Sequence, residues 1–353
     1  MCSVNHKPSS PAIETLLRIW QRVFQQPSIR ASDNFFDLGG TPSSAARLFT
    51  EIAAAFGRDF PPVMICVAPT VENLAALLEN PASPRFPPLT LLNPGTVQAL
   101  DPSSKRPPVF IAHGLGADLL DLSDLVRHIE SRHPVYGMQA QGIDATDEPL
   151  TSIEARAQYH LAAIRQLQPN GPYFLIGYSL GGLLTLEIAQ RLSADGERVA
   201  LLALLDSYPH KNQLSAIQYV RLSVRLAAST AWSLIKSTQN RPRPQSPEPE
   251  GNLSPGDDSD GVSRVRRRMQ EADFLALRTY RPQFYPGKIR FVKAAISGNF
   301  PDNPTAVWSR LAEKFEVETT PGDHVSMLTT YSKNLGSVLS RYLAESESRT
   351  GGR

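Results

Sequence analysis

The run Tyr173–Gln190, YFLIGYSLGGLLTLEIAQ, sets Gly177-x-Ser179-x-Gly181 between an apolar, strand-like stretch and a helical one. A strand-to-helix turn that tight strains the backbone at Ser179 and exposes its hydroxyl, while small residues at 177 and 181 let neighbouring elements close in. A bare G-x-S-x-G is a weak signal, and its bland alternative is a glycine-rich turn of a cofactor-binding sheet. The strand before, the helix after and Gly182 favour a nucleophile turn. A serine hydroxyl is a poor nucleophile unless a base, held in one tautomer by an acid, takes its proton. In a sheet with such a turn the chain order is serine, acid, histidine. Of the seven histidines only His210 and His324 follow Ser179. His210 follows Tyr208-Pro209 and reads as a loop residue. His324, in PGDHVSML ahead of the last helix, is the expected base. Asp206 ends ALLALLD, so its carboxylate should emerge at the carboxyl edge of the sheet beside the turn. Asp302, in the loop after the following strand, is the runner-up, and Asp323 lies too close to His324 to orient its ring. Developing negative charge on the attacked carbonyl needs backbone donors. The N–H of Leu180 follows the nucleophile, and the N–H of Leu115 belongs to the turn in VFIAHGLGAD; His113 there is given no proton-transfer role.

These groups need a sheet to hold them. Val109–Ala112, Val135–Met138, Tyr173–Ile176, Val199–Leu205 and Ile289–Lys293 read as short apolar strands with helical patterns between several of them. That alternation predicts a mostly parallel sheet covered on both faces. An insertion over about 210–285 interrupts it. Gln213–Ile235 has a helical apolar pattern, and residues 240–263 are so rich in Pro, Ser, Gly and Asp that disorder is expected. Such an insertion reads as a lid. Arg264–Arg268 is read as the solvated start of the next helix rather than a nucleic-acid patch.

Ahead of the sheet, residues 8–80 read as a small helical bundle. Ser10 and Pro11 form a cap and first-turn proline, and Ile13, Leu16, Leu17, Trp20, Val23 and Phe24 recur at helical spacing. Further helices are expected near 43–56 and 71–78. Residues 81–106 are proline-rich, without helical or strand period, and read as a linker. Apolar content of 41%, charged content of 20% and a net charge of +2 give no reason to expect nucleic acid or an anionic membrane as partner. Two cysteines build neither a disulfide framework nor a metal site, and no apolar run reaches the roughly 20 residues of a membrane span. A cytoplasmic protein without a metal is expected.

PVFIAHGLG, VYGMQAQGID, GPYFLIGYSLGG, VALLALLDSYP and PGDHVSML, in that order, resemble the thioesterase domain that ends non-ribosomal peptide and polyketide synthetases. The resemblance covers about 107–345 and implies an α/β-hydrolase fold with a helical lid. It also implies an acyl-enzyme on Ser179, formed from a phosphopantetheine-bound thioester and released by water or an internal nucleophile. In that family the acid follows the strand that Asp206 ends, which favours Asp206 over Asp302. VFQQPSIRASDNFFDLGG, AARLFTEIAAAFGRDFPP and APTVENLAALL resemble a peptidyl carrier domain over about 8–80. The serine that would carry phosphopantetheine is replaced by Pro42, with Ser43 one residue on as a shifted candidate. Thr41 is expected to cap the helix, with Pro42 in its first turn. The resemblance then implies a carrier-like unit without its arm and a substrate delivered by another protein's carrier, with an upstream synthetase or carrier protein as partner. The alternatives are a carboxylesterase of the same fold and a non-catalytic assembly module.

Overall fold

The computed structural model describes residues 10–79, 86–93, 106–116, 119–144, 147–211, 214, 261–298, 300–301 and 303–348. The first helix, α1 (Pro11–Phe24), starts at Ser10, whose hydroxyl accepts the Ile13 N–H at 3.3 Å. Its buried stripe of Leu16, Ile19, Trp20 and Val23 packs on α2 (Pro42–Phe56) and α4 (Val71–Glu79). Phe35 closes the bundle, its ring 5.8 Å from that of Trp20 and 5.3 Å from that of Phe24. A single turn, α3 (Met64–Val67), joins the last two helices; four apolar residues are too few to show a helical period.

Among the described residues, the remainder is built on a seven-stranded sheet in the order β1-β3-β2-β4-β5-β6-β7. The strands are β1 (Leu89–Leu91), β2 (Val109–Ala112), β3 (Val135–Met138), β4 (Tyr173–Tyr178), β5 (Val199–Leu205), β6 (Tyr285–Ala294) and β7 (Ala312–Thr320). β1 pairs antiparallel with β3, and every other pairing is parallel. β2 and β4 are buried along their whole length, as central parallel strands covered on both faces must be. Alternate residues serve the two faces. Phe110 and Leu175 join the cluster under α6 (Ile153–Leu167) and α7 (Leu180–Ala194). Val109, Ile111, Phe174 and Ile176 join the one under α5 (Ser123–Arg127) and α10 (Ser332–Ser348). Between β5 and the end of the chain lie α8 (Gly261–Thr279) and the short α9 (Pro304–Trp308).

Two strands differ from the sequence expectation. β1 lies inside the stretch 81–106 read as linker; three residues between prolines carry no alternation to detect. β7, AEKFEVETT, is an edge strand buried only at its two ends, so charged side chains mask its period. Residues 215–260, most of the expected lid and nearly all of 240–263, lie outside the described residues; α8 is its described end. Among the described residues no helix is long and apolar enough to cross a membrane, and no cluster of His, Cys, Asp and Glu has the makings of a metal site.

His160, on the face of α6 turned to the sheet, is 2% exposed. Burial first, then His113 and Arg156, push its pKa down from 6.5 to about 3, so it is neutral in the fold. Between those values the unfolded chain binds a proton that the folded chain refuses. Stability is therefore full above about pH 6.5 and is lost as pH falls, by about 1.4 kcal/mol per unit. The thermal midpoint is expected to drop as pH falls from about 6.5 to 5, with a shallower slope in His160→Leu. An identical slope in the variant would remove His160 as the cause.

Candidate active site

β4 runs into α7 through Ser179, which has φ 54° and ψ −120°. A non-glycine residue held there costs on the order of 1–3 kcal/mol, so its surroundings must over-determine it. The Ser179 N–H donates to Leu205 O at 3.0 Å, tying the turn to the end of β5. At Gly181 any side chain would run into the carbonyls of Ala112 and His113, so only glycine lets α7 start this close to β2.

The residue after β5 is Asp206, itself at φ 44°. Its N–H donates to Val292 O at 2.8 Å, and its Oδ1 accepts the Ala294 N–H at 3.3 Å, so β6 holds the carboxylate. Asp206 Oδ2 lies 2.8 Å from His324 Nδ1, and His324 Nε2 lies 3.0 Å from Ser179 Oγ. The acid is 1% exposed while the imidazole is 23% exposed, so the ring alone faces the solvent side. With Nδ1–H donating to the carboxylate, Nε2 is left as the acceptor of the serine proton. The three residues expected from sequence are thus within one hydrogen-bonded line. Asp302 lies outside the described residues.

The loop between β7 and α10 that carries His324 is fastened from several sides. Tyr178 Oη donates to His324 O at 2.7 Å, and the two rings stack with centroids 4.8 Å apart. Burial, then the charges of Asp206, Asp121 and Asp323, push the Tyr178 phenol up, keeping it a donor. Phe300 packs on the other ring contact, 4.5 Å from the imidazole. Asp323 accepts the N–H groups of Val325 at 3.1 Å and Ser326 at 2.8 Å. Hydrogen bonds from Ser326 hold its carboxyl below the usual range, so it shapes the loop and leaves the ring to Asp206. Tyr178 and Phe300 were missed by sequence reasoning. Tyr178 adjoins the nucleophile and carried a signal; Phe300 carried none.

The loop after β2 reaches the nucleophile. A Cβ placed on Gly114 would lie 3.2 Å from that of Ser179. His113 Nδ1 is engaged with Gly114 O at 2.7 Å. Leu115 is 42% exposed, and Gly116 donates its N–H to Asp273 Oδ2 on α8 at 2.8 Å. Asp273, fully buried, also accepts from Arg156 Nη1 of α6 at 2.5 Å, while Arg156 Nε donates to Leu150 O at 2.8 Å. This network anchors the loop that presents Leu115, yet its members are too far apart in sequence to announce themselves. Asp273→Ala leaves a buried guanidinium and an N–H unpaired. A loss of about 3–5 kcal/mol is expected in denaturant unfolding, and a loss under 1 kcal/mol would mean that the pair is not a buried anchor.

At the start of α2, Thr41 is the N-cap: its hydroxyl accepts the Ser44 N–H at 3.2 Å, and its N–H donates to Ser44 Oγ at 2.7 Å. Pro42 occupies the first turn and has no hydroxyl. The hydroxyls of Thr41 and Ser44 are engaged in this reciprocal cap, and Ser43 is exposed. These side chains do not fit a phosphopantetheine ester at position 42; Ser43 supplies the one hydroxyl of this turn outside the cap.

Residues 107–228 match the family model described as thioesterase domain, and residues 14–78 match the one described as phosphopantetheine attachment site. The chain is 36% identical over 203 residues to a dimodular nonribosomal peptide synthase of Bacillus subtilis (strain 168), covering 58% of this chain and 8% of that one. It is 29% identical over 293 residues to malpibaldin synthetase of Mortierella alpina, covering 83% of this chain and 5% of that one. The chain thus spans under a tenth of the length of these two relatives. Among solved structures, the NocB thioesterase domain in covalent complex with a fluorophosphonate nocardicin G analogue shares the fold. Its TM-score is 0.52 at 20% identity, over 72% of this chain and 99% of that one.

Proposed function

We propose that this carrier–thioesterase didomain releases acyl or peptidyl chains from phosphopantetheine-bound thioesters through an acyl-enzyme on Ser179. The observation that carries the reading is the unbroken line from Asp206 Oδ2 through His324 to Ser179 Oγ, at 2.8 and 3.0 Å. In this reading His324 Nε2 takes the Ser179 proton as Oγ attacks the thioester carbonyl. Asp206 holds the ring and stabilises the imidazolium, and the N–H groups of Leu180 and Leu115 receive the oxyanion. The C–S bond breaks, and His324 returns its proton to the departing thiol. Water or a nucleophile within the acyl chain then gives its proton to His324 as it attacks the ester. Collapse breaks the C–Oγ bond, frees the acid or ring product and restores the Ser179 hydroxyl.

The cargo is delivered by another protein's carrier, in a cytoplasm where the buried thiol of Cys66 stays outside any disulfide. Pro42 supports that delivery route, because the arm has no attachment point at its usual place. The partner is accordingly an upstream synthetase or a separate carrier protein. The intact mass is expected to stay unchanged on incubation with a broad phosphopantetheinyl transferase and coenzyme A. A gain that vanishes in Ser43→Ala would put the arm on this chain instead. For the activity itself, kcat/KM is to be compared for a thioester and an oxygen ester of the same acyl group. Preference for the thioester is expected, whereas preference for the oxygen ester would favour a carboxylesterase.

A further inference from the structure

Pro42 leaves the helical unit without the usual means of carrying cargo, yet that unit is packed onto the sheet. α3 rests on β1, and one buried apolar cluster runs from α1–α4 into the sheet face that bears Val109 and Ile111. Between the two units lies a cavity of about 390 Å³. Its floor is apolar and buried: Val63 comes from the helical unit, Ile143 from the turn after β3 and Met269 from α8. Pro62 and Val265, half-buried, face it from the helical unit and from α8. Leu115 and Gly116 also line it, so the cavity opens beside the loop whose Gly114 abuts Ser179.

We propose that this cavity receives the acyl chain esterified to Ser179, and that the helical unit serves as a fixed wall of it. The inference rests on the release reaction proposed above. A chain leaving Ser179 past Leu115 would bury its apolar part between Val63 and Met269, removing that surface from water. The volume lies within the roughly 300–1,000 Å³ of small-molecule sites, which suits a short acyl segment rather than a whole long peptide. Charge narrows the class further. Among the described residues, Asp59, Asp121 and Asp144 stand at the lining against the guanidinium of Arg266, so a chain ending in a carboxylate meets like charge. The favoured substrate is an uncharged aliphatic or aromatic acyl group. The unit that lost its attachment point thereby keeps a role, as a determinant of chain length.

The test uses the full chain and a series of acyl-N-acetylcysteamine thioesters of rising length, methyl-ended and carboxylate-ended. Wild type is expected to favour the longer methyl-ended members over their carboxylate-ended counterparts. Val63→Phe and Pro62→Trp, which fill the cavity from the helical unit, should lower the long-to-short ratio of kcat/KM about tenfold or more. Val265→Trp should do the same from α8. Pro62 is half-buried, so its variant reports even if Val63→Phe fails to fold, and unchanged thermal midpoints certify each protein. A ratio shifted only by Val265→Trp would overturn the helical unit's part. Unshifted ratios in all three, with Ser179-dependent release intact, would overturn the cavity's role and leave the release reaction standing. Absence of Ser179-dependent release in wild type would overturn that reaction first.

Discussion

Ser179→Ala is expected to abolish thioester release, with kcat falling on the order of 10⁴-fold or more, because nucleophile, base and acid act as a unit. Two features of the site make the expectation this large. Ser179 Oγ is the atom that His324 Nε2 reaches, at 3.0 Å. Its backbone is held at φ 54° by the Leu205 hydrogen bond and by the glycine at 181, a strain that does nothing for packing alone. Nor does the loss extend to the fold. Alanine removes one oxygen from a partly exposed side chain, so the thermal midpoint should move little. Release is measured by liquid chromatography of the freed acid or ring, with the acyl-enzyme sought by intact mass in wild type. Turnover in the alanine variant at more than a hundredth of wild type would remove Ser179 as nucleophile.

The site was more legible in the sequence than the fold around it. Ser179 announces itself because the constraint that exposes it is local: a strand, a sharp turn and a helix within one short run. Asp206 and His324 were found by their positions at the ends of elements, Asp206 at the end of an apolar strand and His324 in a glycine-containing loop before a helix. What local pattern cannot carry is pairing across distance. Asp273 and Arg156 meet over 117 residues of chain, and nothing in EADFLAL marks that aspartate as the partner of a backbone N–H at Gly116. β1 and β7 escaped for the opposite reason. Both lie at sheet edges, where one neighbour suffices and burial on both faces is not imposed, so neither needs the apolar run that marks β4 or β5. Pro42 was plain in sequence as a departure, but the reciprocal engagement of Thr41 and Ser44 emerges only from the backbone that the proline starts.

Asp206→Asn is the second change expected to cost orders of magnitude, on the order of 10⁴-fold in kcat, and its argument turns on a single hydrogen. The carboxylate accepts twice: Oδ1 from the Ala294 N–H and Oδ2 from His324 Nδ1. An asparagine in this place has one oxygen and one NH₂. If the oxygen stays on Ala294, the NH₂ faces Nδ1, which must then give up its proton to become an acceptor. The proton moves to Nε2, and Nε2–H points at Ser179 Oγ as a donor, unable to take the serine proton. If the amide flips, the NH₂ meets the Ala294 N–H, two donors facing each other in a place 1% exposed. Either arrangement disables the base while the backbone survives, since asparagine tolerates the φ of 44° that aspartate adopts. Alanine at 206 would confound the two effects, so asparagine is the variant to make. Asp302→Asn, measured beside it, is expected to stay within a few-fold of wild type. Should the two results be exchanged, Asp302 would be the orienting acid, and the hydrogen bond from His324 to Asp206 would be a structural one.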